Sequence, residues 1–324
     1  MNPNIAKKYD FDIDATVNTY AGELALPYVT AAVLGAETIN KGRVRLIEGV
    51  VGNAVISGLA FTDVLQAASC AGTDGGDLSL TEQVLEVNQL MVKEVICRKT
   101  MFPTWIAAQG RMQRNGDIPV TWTDFLLSAT AAQAGTSLEN LLWQGATTTF
   151  PLGFLSNNGT IDEAGIDASA CQLFIEHDTA GVAWTSATIL GHMSGVFSAA
   201  QAVPGILGKP GCGFYLSMEA YAFYLQAMAL QNTGPGFNQS MDGATYLGYP
   251  VYATPGIPNT VDVMVFTYPE NLVVGTNAYT DEEAAALIPV YKYDGSDNVK
   301  VSMDFAVGVQ TAVATDGVVG FNFT

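Results

Sequence analysis

The sequence predicts an α+β fold, with helices and strands layered around a large core. Three features point there: a long helix-periodic stretch near the middle, short strands alternating with helices after it, and a carboxyl-terminal end of almost pure strand pattern. A chain of 324 residues is about two domains long at roughly 150 residues each, so it can bury that core without borrowing a partner.

Residues 1–40 read as an arm. Polar and apolar residues mix in YDFDIDATVNTYAGELALPYV with no sustained period, and such a segment is expected to order only by lying on a neighbour. From 41 to 91 the pattern is extended. GRVRLIEGVVGNAVISGL is rich in Val and Ile, CAGTDGGD has turn chemistry, and QVLEVNQL alternates like a returning strand, which together make one long hairpin-like excursion. Ser79 and Glu82 also have capping-box spacing, so a helix starting at Ser79 is the competing reading. VKEVICRKTMFPTWIAAQG is expected to form a short helix cut off by Pro103.

TDFLLSATAAQAGTSLENLLWQG is the clearest long helix. Leu126, Leu127, Thr130, Gln133, Ala134, Leu138, Leu141 and Leu142 fall near helical spacing, Gly145 supplies a stop, and Gly135 weakens the middle. TSATILGHMSGVFSAAQAV reads as a second helix ending before Pro204. GFYLS follows as a strand and SMEAYAFYLQAMAL as a third helix capped by Ser217. After the loop QNTGPGFNQSMDG come short strands at YLGYPVYAT and VDVMVFTYP, and from about 286 onward two long alternating runs surround the turn DGSDN.

Hydrophobic residues make up 49% and charged residues 14%, against a usual charged share of about 25%, so much of the surface is uncharged. Such surface is normally covered, by further copies of the same chain or by lipid. Lipid is disfavoured, because no stretch approaches the ~18 uninterrupted apolar residues of a membrane helix and MNPNIAKKYDFDIDA carries acids where a signal peptide needs an apolar run. A cytoplasmic setting without a membrane partner is expected. A formal charge of −18, with only 13 Lys and Arg, argues against gripping nucleic acid, which takes clustered basic residues. Cys70, Cys97, Cys171 and Cys212 lie far apart without metal or redox spacing, so reduced, mostly buried thiols are expected rather than a disulfide framework or a zinc site.

Catalytic chemistry finds little support. His177 and His192 are the available imidazoles, GHMSG has the wrong spacing for a nucleophile elbow, and both histidines read as ordinary surface or loop residues. Asp10, Asp12 and Asp14 resemble the start of a calcium loop, yet Ala15 stands where the sharp turn needs Gly and Ala21 where the bidentate Glu belongs. They read as alternating acids on one face of an extended arm. Gly208, Gly211 and Gly213 in GKPGCG fit no phosphate-loop spacing and suit a plain turn into a strand. The Asn-x-Ser/Thr triplets at Asn158, Asn238 and Asn322 are chance matches, and Trp105, Trp122, Trp143 and Trp184 are expected core anchors of one domain.

Four phrases occur in order in the second half: FYLSMEAYAFYLQAM (214–228), YLGYPVYATPGIP (246–258), PENLVVGT (269–276) and VKVSMDFAVGVQ (299–310). In these phrases, and in its succession of arm, extended loop, spine helix, compact module and terminal hairpin, the chain resembles the Hong Kong 97 type of tailed-phage major capsid protein. CRKTMFPTW looks somewhat like capsid proteins of crAss-like gut phages. The resemblance implies an arm at 1–40, an extended loop at 41–91, a peripheral domain with the spine helix at 92–187, an axial domain at 188–261, and C-terminal strands of the peripheral domain at 262–324.

It also implies a structural protein rather than an enzyme, with no catalytic residue, cofactor or metal ligand. Its partners would be copies of itself in the hexamers and pentamers of an icosahedral head, with scaffold, portal and decoration proteins beside them. Double-stranded DNA would be enclosed without sequence-specific contact, and the protein would reside in the virion after assembly in the host cytoplasm. Some members of the family join subunits by a Lys–Asn bond. Here Lys41 and Lys93 flank the loop with no lysine between them, so no such crosslink is expected. The chain departs from some members in lacking a long charged helical scaffolding segment at its start, so that segment is either cut away or replaced by a separate protein. An encapsulin-type compartment shell of the same fold, a different virion part such as a decoration or tail-tube protein, and a soluble α/β enzyme are the other readings that remain.

Overall fold

A computed structural model describes residues 18–21, 31–62, 77–97, 100, 122–145, 153–155, 175–178, 182–231, 243–277, 284–290, 295–296 and 298–322. In chain order the strands of the first half are β1 (Asn18–Ala21), β2 (Arg45–Glu48), β3 (Asn53–Thr62), β4 (Asp77–Glu86), β5 (Asn88–Cys97) and β6 (Ile175–Asp178). Those of the second half are β7 (Gly213–Leu216), β8 (Thr245–Tyr246), β9 (Tyr249–Ala253), β10 (Asp262–Thr267), β11 (Leu272–Thr276), β12 (Ala284–Pro289), β13 (Asn298–Thr311) and β14 (Val318–Asn322). Among the described residues the helices include α1 (Glu37–Asn40), α2 (Trp122–Gln144), α3 (Ile189–Gln201) and α4 (Met218–Gln231).

The terminal hairpin organises the first sheet. Strands β11 and β12 lie in line along one side of β13, from Leu272↔Thr311 to Pro289↔Val299, so both alternating runs of the sequence do pair across the DGSDN region. Because β12 and β5 both pair with residues 299–304 of β13, β5 must occupy its other side, where it runs antiparallel from Asn88↔Val307 to Cys97↔Asn298. Beyond β11 and β12, β2 pairs parallel and β1 antiparallel. One face of this sheet takes α2: Leu126, Leu127, Ala131 and Ala134 pack on Ala285, Leu287, Val299, Val301 and Met303. Burial of each such Leu contributes about 1.5–3 kcal/mol.

The second sheet has the order β6-β14-β10-β7-β9-β8 and is covered by α3 and α4. Ser217 caps α4 as expected, accepting the Ala220 amide at 3.2 Å. Between the sheets lies a third apolar cluster around Trp143, whose ring meets Phe154 at 5.4 Å and Tyr215 at 5.7 Å. Val274 and Val307 reach this cluster from the first sheet, Val265 and Val319 from the second.

Several sequence expectations change. Val92–Cys97 forms the second half of β5 rather than a helix, because the β-branched Val92, Val95 and Ile96 suit a strand whose full length pairs with β13, while residues 98–99 and 101–110 lie outside the described residues. Ser79 sits in β4 opposite Ala60, so the capped helix is excluded and the long hairpin stands; its tip, residues 63–76, lies outside the described residues. Residues 31–40 do not await a neighbour. Ala32, Val33, Ala36 and Ile39 are buried within the chain's own core, and Gly35 meets Gly135 of α2 so closely that a Cβ on Gly135 would stand 2.6 Å from the Gly35 Cα. The glycine that weakens the helix on paper is what admits that segment. Gln133 is exposed, not part of the buried stripe. Strands β10 and β14 join the sheet of residues 188–261. Trp184 belongs to the cluster beneath α3, while Trp143 anchors the one between the sheets. Trp105 and the Trp122 side chain lie outside the described residues.

Candidate assembly surfaces

The β3–β4 ribbon rises from a floor in which two facing positions are glycines. Gly275 of β11 and Gly308 of β13 are cross-strand partners. A Cβ on Gly275 would stand 2.6 Å from Leu85 Cδ2, and one on Gly308 would collide with the Glu86 carbonyl. The end of β4 therefore rests directly on the sheet backbone. Leu85 and Ile56 are buried there against Val273, and the buried Gln310 amide donates to the Val84 carbonyl at 3.2 Å and to Gln83 Oε1 at 3.3 Å. The amides of Val50 and Val87 complete the root, donating to Thr276 O at 3.2 Å and Gly52 O at 3.1 Å.

A second knot holds the crossings between the sheets. Asn271 is fully buried; its Nδ2 donates to Thr267 Oγ1 and to Asp316 O, each at 3.2 Å, and its Oδ1 accepts the Val313 amide at 2.8 Å. The turn from β10 to β11 is thereby tied to the turn from β13 to β14. Arg43 is a third tie: buried, it donates to the Ala253 carbonyl at 2.7 Å, lies 4.6 Å over the Tyr252 ring, and offers its own carbonyl to Tyr215 Oη at 2.9 Å. Asn271 and Gly275 fall inside PENLVVGT and Gly308 inside VKVSMDFAVGVQ, so the phrases that carried the resemblance are the structural joints. The interior glycines of alternating strands were the signal for the floor; nothing local announced Gln310 or Arg43.

Beyond its root the ribbon is half-covered. Val55 and Val84 face each other across the strands and are 62% and 48% exposed, and Leu80 on the same face is 57% exposed. These residues line one side of a two-stranded ribbon, with Ser57 and Glu82 between them.

The two histidines considered for catalysis lie on different elements. His177 lies in β6 opposite Gly320, and His192 lies in α3 with its ring stacked on Trp184 at 5.7 Å. Burial pushes the Cys212 thiol up to about 12, so it is no thiolate nucleophile near neutral pH. Gly211, at φ 75°, turns GKPGCG into β7. Among the described residues no group of three His, Cys, Asp or Glu side chains could hold a metal, and no helix is long and apolar enough to cross a membrane. Asn322 sits in β14, whereas Asp10, Asp12, Asp14, Cys70, Cys171, Asn158 and Asn238 lie outside the described residues.

Neither a protein-family model nor a curated protein matches the sequence. Solved structures do match. A capsid of the native GTA particle is similar at a TM-score of 0.53 and 12% identity, over 91% of each chain. A chain of Mycobacterium phage Adephagia matches at 0.54 and 13%, covering 89% of this chain and 90% of that one. A chain of the satellite phage P4 procapsid, a particle that includes the size determination protein, matches at 0.55 and 13%, over 92% and 99%. These likenesses cover about nine-tenths of the chain, and they identify the fold as the Hong Kong 97 type.

Proposed function

We propose that this chain, with the fold of phage capsid proteins, is a major capsid protein whose copies build the pentamers and hexamers of an icosahedral head enclosing double-stranded DNA. The ribbon carries the reading. An isolated two-stranded hairpin is marginal in water, yet this one extends for ten residues per strand with Val55, Val84 and Leu80 uncovered. A neighbouring subunit is the cover such a face fits. The role is structural rather than catalytic, and the virion is where the protein would reside.

In this reading residues 41–91 lie over a neighbour's peripheral domain, the body at 188–261 with β10 and β14 surrounds the capsomer centre, and the arm laces beneath another copy. Since residues 31–40 are held by their own core and residues 18–21 pair with β12, only the other parts of the arm are left to do so. Scaffold, portal and decoration proteins are further partners of the assembled head. A net charge of −18 per copy favours a shell that contains DNA without adhering to it.

Expressing the chain alone and following it by light scattering and negative-stain electron microscopy tests the proposal. Closed hollow particles, or rings of five and six, are expected. A monomer or dimer that persists on concentration, and with a candidate scaffold protein added, overturns it.

A further inference from the structure

We infer that Leu247, at the tip of the β8–β9 hairpin, is an anchor by which one copy of this chain holds a second. The inference rests on the capsid reading and adds to it a residue on which contact between copies depends.

Strands β8 and β9 pair as Thr245↔Pro250 and Tyr246↔Tyr249, so Leu247 and Gly248 make the two-residue turn between them. Leu247 has φ 49° and Gly248 φ 88°, the left-handed pair that so tight a hairpin requires and that Asn-Gly fills best. Among the described residues Leu247 alone of the non-glycines has a positive φ. A leucine there is strained, because its Cβ crowds the following carbonyl oxygen. Its side chain is also 62% exposed, so packing within the subunit does not offset the strain. Leucine is a poor residue for this turn and for a solvated tip, and a good one for a tip that becomes covered.

The hairpin beneath the tip is braced. Tyr224 Oη donates to the Thr245 carbonyl at 2.8 Å, Tyr249 Oη to the Leu207 carbonyl at 3.1 Å, and Tyr246 Oη to the Leu190 carbonyl at 3.4 Å. The Tyr246 ring meets Phe214 at 5.6 Å and the Tyr249 ring meets Phe266 at 5.5 Å, both edge-on. A hairpin held in this way presents its leucine in a fixed place, which lowers the entropy lost when a partner covers it.

Charge selects the partner. Of the 13 basic and 31 acidic residues in the chain, residues 188–261 hold Lys209, Glu219 and Asp242, so this stretch carries a single unit of the net −18. Two copies with that charge repel each other, and they repel least where this stretch forms the contact. The neighbours of Leu247 in the hairpin, Thr245, Tyr246, Gly248 and Tyr249, are uncharged and offer nothing to a basic partner. A second copy is the partner for which an apolar, uncharged tip on an acidic protein is suited.

Leu247→Asn tests this, because it gives the turn its preferred Asn-Gly sequence while removing the anchor. In the free full-length subunit the urea midpoint should rise. At a concentration where the unaltered chain assembles, particle yield by light scattering and negative-stain electron microscopy should fall at least about tenfold. Leu247→Met, which keeps an apolar side chain on the same backbone, should retain most of the yield. With the photocrosslinking residue p-benzoylphenylalanine at position 247 and equal amounts of unlabelled and nitrogen-15-labelled chain, mass spectrometry should find crosslinks that join differently labelled copies. Particles formed by Leu247→Asn at the unaltered yield, a midpoint that falls, or crosslinks that are absent, confined to one copy or made to an added scaffold protein overturn the inference and leave the capsid reading standing. An unaltered chain that never assembles overturns both.

Discussion

Glu139 is carried into the core by α2, and its surroundings make that tolerable. The first turn of α1 has no side-chain cap at Ala36. Glu139 supplies one from a distance, accepting the Thr38 amide at 2.9 Å and, on its other oxygen, the Thr38 hydroxyl, which in turn accepts from Trp143 Nε1 at 3.1 Å. Replacing Glu139 by Leu strands two buried donors, and a loss of about 2–4 kcal/mol in urea unfolding is expected. Gly308→Ala must move either β13 or the root of β4; a loss of more than about 2 kcal/mol is expected, whereas Ala at the open turn Gly295 costs about 1 kcal/mol through its positive φ alone. Cys212 sets a pH dependence. Its thiol, ordinarily near 9.0, is raised to about 12 by burial, so the unfolded chain releases that proton first and stability falls as pH rises from 9.0 toward 12. Tyr224, raised from 10.0 to about 12 by burial, adds to the fall only above 10.0, so Cys212→Ala should flatten the urea midpoint between pH 9.0 and 10.0. None of these partners is local in sequence, since Thr38 and Glu139 are 101 residues apart, which is why residue-type patterns could not name them.

At the scale of elements, periodicity served wherever one face of an element meets a core along its length. Helix α2 and the hairpin of β12 and β13 were legible for that reason. Strand β5 was not, because VKEVIC has both the apolar content of a short helix and the Val and Ile of a strand, and only the waiting edge of β13 decides between them. The ribbon was legible as a hairpin, but its root on the glycine floor was not. Hydrogen exchange should separate its parts. In the unassembled subunit, amides of residues 57–62 and 77–82 should exchange at least about tenfold faster than those of 84–87, and assembly should erase the difference. Equal protection in the free subunit would mean that the ribbon already has a cover.

At the scale of the whole molecule, pattern gave strands such as β7, β9, β10, β12 and β13 but not the sheet that each one joins. Strand β14 follows β13 after six residues and still joins the other sheet, beside β10, because the Asn271 knot turns the chain there. Arg43 links the base of the ribbon to that second sheet. Arg43→Ala should cost about 2–4 kcal/mol, and Arg43→Lys should restore little of it, since a lysine lacks the planar group that stacks on Tyr252. Urea midpoints of the two variants check this. The legs of the ribbon are unequally rooted: the leg before β3 is held through the four-residue parallel strand β2, the leg after β4 through the ten-residue antiparallel strand β5. Under an outward pull along the strands, the long ladder is loaded in shear with its bonds sharing the force, and the short one yields first. The ribbon is thus a lever with one fixed leg and one compliant leg, and strain applied at its tip swings it about Gly308 instead of tearing it from the sheet.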